Sequence, residues 1–132
     1  MSDTAGRGPK MKLLWVFPGF AIGGTQRRFA TLAGELGPDY EHIIVAMDGD
    51  YSAERLIPAG VHWRKVEIKV RKSRLLSFRN LMTFRQTMNE VQPDLILTSN
   101  WGTIEWLASN RGPGAIPHIH FEDGFGPDET AD

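Results

Sequence analysis

The chain has 132 residues, a length typical of one domain, and its apolar fraction of 41% and charged fraction of 23% are those of a globular protein. Fifteen basic and sixteen acidic residues give a net charge of −1, which argues against a general nucleic-acid-binding protein. The absence of cysteine excludes disulfides, zinc–thiolate sites and thiol catalysis, and it fits a reducing cytoplasm. No apolar run approaches the roughly 20 residues that span a bilayer, and the N-terminus lacks the apolar core of a signal peptide.

Two strand–helix pairs are predicted in the first half of the chain, after a polar segment at 1–10 that we predict to be a disordered leader. A short apolar run predicts a buried strand at 13–17, and a glycine-rich loop at 19–24 follows it. Thr25 is expected to cap the next helix, which ends at Gly37. Helical spacing predicts that one face of this helix carries Phe29, Leu32, Ala33 and Leu36. A second strand is predicted at 42–47, and a short helix at 52–57.

The second half repeats this alternation. A strand is predicted at 61–68, a longer helix at 75–91 and a strand at 94–98. A helix at 102–110, in which Trp106 is expected to pack in the core, leads to a fifth strand at 116–121. The inner face of the longer helix is predicted to carry Phe78, Leu81, Phe84, Met88 and Val91. Apolar strands separated by amphipathic helices predict an α/β fold, a Rossmann-like doubly wound parallel sheet of about five strands with helices on both faces.

The loop after the first predicted strand is suited to binding an anion. Gly23 and Gly24 precede a helix, so the backbone can approach a ligand closely while helix N–H groups point at it. Arg27 and Arg28 oppose the helix dipole in the first turn, and a bound anion would offset that penalty. A tight turn with solvated arginines is the alternative. The loop has neither the Gly-x-Gly-x-x-Gly spacing of dinucleotide-binding folds nor a Walker lysine.

Polar and aromatic residues follow the fourth predicted strand. Ser99, Asn100 and Trp101 lie where ligands bind in open α/β sheets, beyond the carboxyl ends of the strands. An indole beside an asparagine is suited to contact a sugar ring. Ser99 or Asn100 also suits a helix cap, which is the alternative.

The fifth predicted strand carries two histidines and ends in two acids. Alternation places His118 and His120 on the same face, and Glu122 and Asp123 emerge at the carboxyl end before Gly124. Only one segment offers ligands, so we expect no metal site. General acid or base catalysis, or hydrogen bonding to hydroxyls, is favoured instead. For either histidine alone, a hydrogen-bonded core residue is the alternative, whereas two adjacent acids are unsuited to a core.

Taken together, these segments resemble the N-terminal domain of family 4 glycosyltransferases, which have the GT-B fold. The resemblance covers most of the chain from residue 11 on, and it is carried by residues 23–27 with the helix to 36, 98–102 with 104–106, and 118–125. It implies that residues 11–132 form a Rossmann-like acceptor-side domain. It also implies a C-terminal nucleotide-sugar domain, which we expect to be absent from this chain, so that the chain alone transfers little or nothing.

The activity that the resemblance implies is hexosyl transfer with retention, from a nucleotide-sugar to a glycan or lipid-linked acceptor in polysaccharide or glycolipid synthesis. No metal and no cofactor are implied, since the nucleotide-sugar is a donor substrate. Backbone and side-chain contacts to the donor phosphates are expected from Gly23, Gly24, Thr25, Arg27 and Arg28. The reacting groups are expected to meet His120, Glu122 and Asp123, with further substrate contacts from Ser99, Asn100, Trp101 and Gly124. Asp123 stands where many members have a histidine, which leaves open which residue acts as the acid or base.

The basic residues are concentrated between Arg64 and Arg85, where eight of the fifteen lie with Glu67 as the only acid. This stretch predicts contact with an anionic acceptor or with the inner face of the membrane, and a cytoplasmic protein. A solvated basic face is the alternative. Among them, Arg71, Lys72 and Arg74 are the residues whose neutralisation should weaken binding to anionic vesicles.

Two other functions and one assembly state also fit the sequence. A non-catalytic α/β module that binds a phosphorylated ligand is the main alternative, and Asp123→Asn separates the two because only an enzyme would lose turnover. A nicotinamide-dependent enzyme would use Asp48 or Asp50 for the ribose, but the glycine fingerprint is missing. Some of the four tryptophans are expected at the surface, where they would favour a homodimer of the isolated domain. These are Trp15, Trp63, Trp101 and Trp106.

Overall fold

The computed structural model describes residues 11–68, 78–100, 106, 109–110 and 115–122. The strands are β1 (Met11–Phe17), β2 (Tyr40–Ala46), β3 (His62–Lys65), β4 (Leu95–Ser99) and β5 (His118–Phe121). The helices are α1 (Gly24–Leu36), a 3-10 helix (Ser52–Leu56) and α2 (Phe78–Val91). Trp106 and Ser109 are helical between β4 and β5. The predicted leader at 1–10 and most of the helix predicted at 102–110 lie outside the described residues.

The strands form one five-stranded sheet in the order β3-β2-β1-β4-β5, and every neighbouring pair is parallel. β1 is central, pairing with β2 on one side and with β4 on the other. The chain builds outward from β1 to β3 and then crosses over to build the other half. This arrangement confirms the predicted Rossmann-like α/β sheet and puts its topological switch point between β1 and β4.

Both faces of the sheet are covered, because the side chains of the central strand alternate between two cores. Leu13, Trp15 and Phe17 enter a first core, whereas Leu14 and Val16 enter a second. The two central neighbours of β1 follow the same alternation, as expected for strands buried on both faces. The first core is completed by α1 and the 3-10 helix through Phe29, Ala33 and Ala53, and the second by α2 and the later helical segment through Phe84, Met88, Val91 and Trp106.

Trp106 packs in the second core, as predicted. Its indole is fully buried and stacks on Phe84 with a centroid distance of 4.3 Å and an interplanar angle of 17°. Trp15 is also buried, in the first core. Trp63 is half-buried, and Trp101 lies outside the described residues. Trp15 and Trp106 are therefore enclosed by the two cores and contribute nothing to an exposed tryptophan surface.

Several predicted features differ in the structure, and the differences have physical reasons. Leu32 was expected on the buried face of α1 but is 40% exposed, since the sheet covers only a narrow stripe of that helix. The strand predicted at 61–68 is only β3 (His62–Lys65). The N–H of Val66 still donates to the carbonyl of Ile44 in β2 (3.0 Å), but the Val66 carbonyl accepts from the Tyr51 hydroxyl (3.0 Å), so strand pairing ends at this residue. The short helix predicted at 52–57 is a 3-10 helix that ends at Leu56.

The amino ends of β1 and β4 are joined by a cluster of hydrogen bonds. The backbone N–H of Lys12 donates to Asp94 Oδ2 (2.8 Å), and the N–H of Asp94 donates back to the Lys12 carbonyl (2.8 Å). The Lys12 ammonium also donates to the carbonyl of Val91 at the end of α2 (3.2 Å). These contacts fasten the two halves of the sheet at the edge opposite to the candidate site.

Candidate functional site

The carboxyl edge of the sheet gathers the loops that the sequence singled out. α1 leaves β1 toward β2, while β4 lies on the other side of β1, so a crevice opens between the loops that follow β1 and β4. Ligands of open α/β sheets bind in such a crevice. β5 is the next strand outward and brings its own carboxyl end to the same edge.

The loop after β1 is anchored by Phe20, which the sequence analysis did not single out. Its ring is fully buried in the first core, 5.0 Å from the ring of Phe17 and 5.7 Å from that of Phe29. Its backbone N–H donates to the carbonyl of Asp50 (2.8 Å), and its carbonyl accepts from the N–H of Ala53 (2.8 Å). The loop is therefore held to the 3-10 helix on both sides of the ring.

Asp48 and Asp50, the two candidate ribose ligands, stabilise this loop region. Asp48 Oδ1 accepts from the N–H of Asp50 (2.8 Å). Asp50 Oδ1 accepts from the N–H and the hydroxyl of Ser52 (2.9 and 2.7 Å), and these hydrogen bonds lower the pKa of the Asp50 carboxyl. A Cβ atom added at Gly19 would collide with the Asp48 carboxylate, so this glycine is required for the close approach of the two loops.

The predicted cap of α1 is wrong. The cap lies two residues earlier, because the carbonyl of Gly23 accepts the first helical hydrogen bond from the N–H of Arg27 (2.9 Å), and Gly23 makes no side-chain cap. Thr25 is thus inside the first turn. Gln26 reaches back to donate to the carbonyl of Gly19 (2.8 Å) and fixes the loop against the helix. At Gly24 a Cβ atom would meet no atom of the described residues within 4 Å, so among them the start of the helix is open to a ligand.

A small pocket of about 60 Å³ occupies the crevice. Its floor is aromatic, and its walls bring together Thr25 and Arg28 from α1 with Ser99 at the end of β4. Arg27, although adjacent in sequence, does not line this pocket and borders only the neighbouring groove along α1, which Arg28 also lines. The structure therefore distinguishes the two arginines, and it is Arg28 that lines the crevice. The other lining residues are Trp15, Phe17, Phe29, Leu32 and Phe121.

Asn100 makes a tight turn at the end of β4. Its φ of 62° is in the left-handed region, which asparagine tolerates better than most residues. Its N–H donates to the carbonyl of Phe121 (2.8 Å), which ties the turn to β5. Ser99 is buried beside it. Both predicted residues are therefore at the crevice, while Trp101 lies outside the described residues.

The two histidines of β5 lie on one face, as predicted, and share Thr98 of β4. The Thr98 hydroxyl is 2.8 Å from His118 Nε2 and 2.7 Å from His120 Nδ1. His120 Nε2 lies 3.5 Å from Glu122 Oε2, and the Glu122 side chain is 59% exposed. The result is a row of polar groups from a half-buried imidazole to a surface carboxylate. Within the described ranges no group of three or more histidine and acidic side chains is arranged to hold a metal ion.

Two imidazoles among the described residues have a lowered pKa. Burial lowers the pKa of His42, whose Nδ1 accepts a hydrogen bond from the Trp15 indole N–H (3.1 Å). Burial, and then the charge of His120, lower the pKa of His118. His42 Nε2 and His118 Nδ1 have no hydrogen-bond partner in the described part of the chain, so a proton on either nitrogen would lack an acceptor there.

These lowered pKa values make the free energy of unfolding depend on pH. Below the ordinary histidine pKa of 6.5 the unfolded chain binds protons that the folded chain does not, so stability falls as pH decreases through that value. We expect urea unfolding of His42→Phe to show a shallower decline than the wild type over this range. The matched control is His62→Gln at an exposed strand position, which should keep the wild-type slope. Equal slopes in His42→Phe and the wild type would contradict this assignment.

The basic stretch is only partly described. Arg64 Nε pairs with Glu41 at 2.9 Å, and Lys65 Nζ pairs with Glu54 at 3.4 Å. These exposed pairs support the interpretation as a solvated, ion-paired face for these two residues. Outside the described residues lie Arg71, Lys72, Arg74, Asp123 and Gly124. No helix in the described ranges has both the length and the apolar character needed to cross a membrane.

Thr98 and Phe20 are the site residues that sequence analysis missed. A signal was available for each. Thr98 is the first polar residue after the apolar run of β4, and Phe20 is a large aromatic residue inside a glycine-rich loop. Neither signal identifies a partner, because the partners come from other strands and loops.

No protein-family model matches the chain, and no curated protein matches it. The class of protein is therefore described from the fold and the crevice alone. It is a Rossmann-like α/β domain with an open helix N-terminus, one arginine and an aromatic pocket on one face of the carboxyl edge, and with a threonine-linked pair of histidines on the opposite face of β4 and β5.

Proposed function

We propose that the chain is the acceptor-side domain of a retaining glycosyltransferase that moves a sugar from a nucleotide-sugar to a glycan or lipid-linked acceptor. The observation that carries the proposal is that the loops after β1, β4 and β5 all reach the carboxyl edge of the sheet, the first two beside the aromatic pocket and the histidines of β5 on the opposite face. The first offers an open helix N-terminus, the second Ser99 and Asn100, and the third His120 and Glu122. These are the segments on which the sequence resembles family 4 glycosyltransferases.

The first loop is suited to the diphosphate of the donor. Unpaired N–H groups and the positive end of the dipole make a helix N-terminus favourable for phosphate, and Gly24 leaves room for close approach. Arg28 adds a cation on the crevice side of the same helix. Charge builds on the diphosphate as the glycosidic bond breaks, so donors held in place by the Phe20 anchor would stabilise the transition state.

The other two loops are suited to the sugar and the acceptor hydroxyl. Phe121 is 41% exposed and offers an apolar surface to a sugar ring. His120 and Glu122 offer a donor and an acceptor to hydroxyl groups. The remaining nucleotide contacts would come from a second domain across the crevice. We place the reaction in the cytoplasm, where an anionic acceptor at the inner face of the membrane would suit the basic stretch.

A non-catalytic module that binds a phosphorylated ligand is the second candidate. One observation favours it: the helix N-terminus, Arg28 and the aromatic pocket form a binding site within this domain alone. Such a module would bind through the first loop and would have no use for the histidine pair. Both candidate functions therefore assign a role to Arg28, but only the transferase assigns one to His120 and Glu122.

The experiment that tests the proposal uses the protein as its native cell produces it, after its intact mass has been measured. Labelled nucleotide-sugars are supplied with a glycan acceptor, and the anomeric configuration of the product is read by NMR. Transfer with retention supports the transferase. Binding without transfer supports the module, and neither binding nor transfer contradicts both.

The two adjacent arginines provide a matched pair for the phosphate site. We expect Arg28→Gln to weaken binding of a nucleoside diphosphate about tenfold or more, because a hydrogen bond to a charged group contributes roughly 1.5–3 kcal/mol. Arg27→Gln removes the same charge one residue away, outside the crevice, and should weaken binding by less than about threefold. Titration calorimetry of both variants checks this. Equal losses of affinity in the two variants would show that binding depends on the overall charge of the helix and not on the position of Arg28 in the pocket.

A further inference from the structure

The Thr98 hydroxyl lies between two imidazoles and has one proton to give. Its oxygen is 2.8 Å from His118 Nε2 and 2.7 Å from His120 Nδ1, both hydrogen-bond distances. A hydroxyl donates one hydrogen bond and accepts up to two. The row can therefore run outward, from His118 through Thr98 to His120, or inward, or both rings can donate to the hydroxyl oxygen.

The outer end of the row favours the outward direction. His120 Nε2 faces Glu122 Oε2 at 3.5 Å, and an ionised carboxylate can only accept. A proton on Nε2 is attracted to that carboxylate, whereas a lone pair on Nε2 would be repelled by it. In a neutral imidazole the other nitrogen is then an acceptor, so Nδ1 accepts the proton of Thr98. Both other arrangements place the lone pair of His120 Nε2 against the carboxylate.

The inner end favours the same direction. His118 Nδ1 is buried and has no hydrogen-bond partner among the described residues. If the row ran inward, Thr98 would donate to His118 Nε2, and the neutral ring would carry its proton on Nδ1 as a buried N–H without an acceptor. If it runs outward, His118 donates from Nε2 and Nδ1 carries only a lone pair. A buried N–H group without an acceptor is rarer in proteins than a buried lone pair without a donor, so the outward direction is favoured.

We propose that Thr98 is a positioning residue that fixes His120 in the Nε2–H tautomer. Because Nδ1 is occupied by the Thr98 proton, His120 presents only an N–H group at the carboxyl edge. It therefore acts as a hydrogen-bond donor to a substrate oxygen and not as a proton-accepting base. The tautomer follows from the geometry alone, whereas its role toward a sugar or phosphate oxygen rests on the proposed function.

The proton positions can be measured directly on the chain labelled with ¹⁵N-histidine. Long-range ¹H–¹⁵N spectra at neutral pH report which ring nitrogen carries the proton and whether the other accepts a hydrogen bond. We expect His120 to carry its proton on Nε2 and to accept at Nδ1. In Thr98→Val the Nδ1 resonance should move to that of a nitrogen without an accepted hydrogen bond, and Thr98→Ser should keep the wild-type position.

Two outcomes would overturn the proposal. One is a proton on Nδ1 of His120 in the wild type, and the other is an unchanged Nδ1 resonance in a folded Thr98→Val. The wild-type spectrum tests the tautomer even if the valine variant does not fold. In the full protein, Thr98→Val should lower kcat roughly tenfold with little change in KM, and Thr98→Ser should restore it. A protein with this tautomer but no transfer would contradict the proposed function and leave the Thr98 assignment intact.

Discussion

Replacing Phe20 by alanine is expected to lower the free energy of unfolding by about 3–5 kcal/mol, the cost of emptying a fully buried aromatic site. The ring packs against Phe17 and Phe29, and both rings remain in place around the cavity that the substitution leaves. Urea unfolding measures the change. Domains are stable by only about 5–15 kcal/mol in total, so this variant should lose a large part of its stability.

The anchor should affect the crevice as well as the fold. Phe20→Leu keeps most of the apolar volume and should remain folded, yet it fills the site less well and loosens the loop between Gly19 and the start of α1. We expect this variant to bind a nucleoside diphosphate more weakly than the wild type. The control is Met82→Ala on α2, where the side chain is 52% exposed and the change in stability should stay within about 0.5 kcal/mol. A Phe20→Ala variant as stable as Met82→Ala would contradict the role of Phe20 as an anchor.

The second large effect is expected on the rate of sugar transfer when His120 is replaced. His120→Phe keeps a ring in the half-buried site but removes the N–H at the carboxyl edge. Loss of one preorganised donor to developing charge lowers kcat by roughly 10²–10³-fold in other enzymes, and we expect a loss of that size here.

Two further variants sharpen this test in the full protein. His120→Gln retains an N–H donor and should lose less than His120→Phe. His62→Gln changes an exposed histidine on the edge strand β3, far from the crevice, and should leave the rate unchanged. A His120→Phe enzyme within about threefold of the wild-type rate would remove His120 from the reaction and favour the binding module.

The type of fold could be predicted because the signals for it are local. β1, β2 and β4 are short apolar runs bounded by turn residues, and such runs are typical of strands buried on both faces. The start of α1 was misplaced because a threonine is a good cap in general, whereas here Gly23 accepts the first helical hydrogen bond. β3 was predicted too long because nothing in the sequence shows that Tyr51 takes the carbonyl of Val66.

The site could be predicted only as a set of loops. That β1 and β4 are neighbours follows from pairing between residues far apart in the chain, and this pairing selects Arg28 over Arg27. The role of Thr98 depends on the register of β4 against β5, which sets Thr98 opposite His120. A shift of one residue would turn the threonine to the other face of the sheet. Residue types alone cannot supply either fact.

The hydrogen bonds between Lys12 and Asp94 have a consequence for the order in which the parts of the domain fold. The two residues are 82 apart in sequence, so closing this contact carries a larger chain-entropy cost than pairing β1 with β2. Contacts of this separation form slowly, and during synthesis the first three strands emerge before β4 exists. One wall of the crevice belongs to each half of the chain. The crevice is therefore among the last parts of the molecule to form, because it exists only once β4 has joined β1.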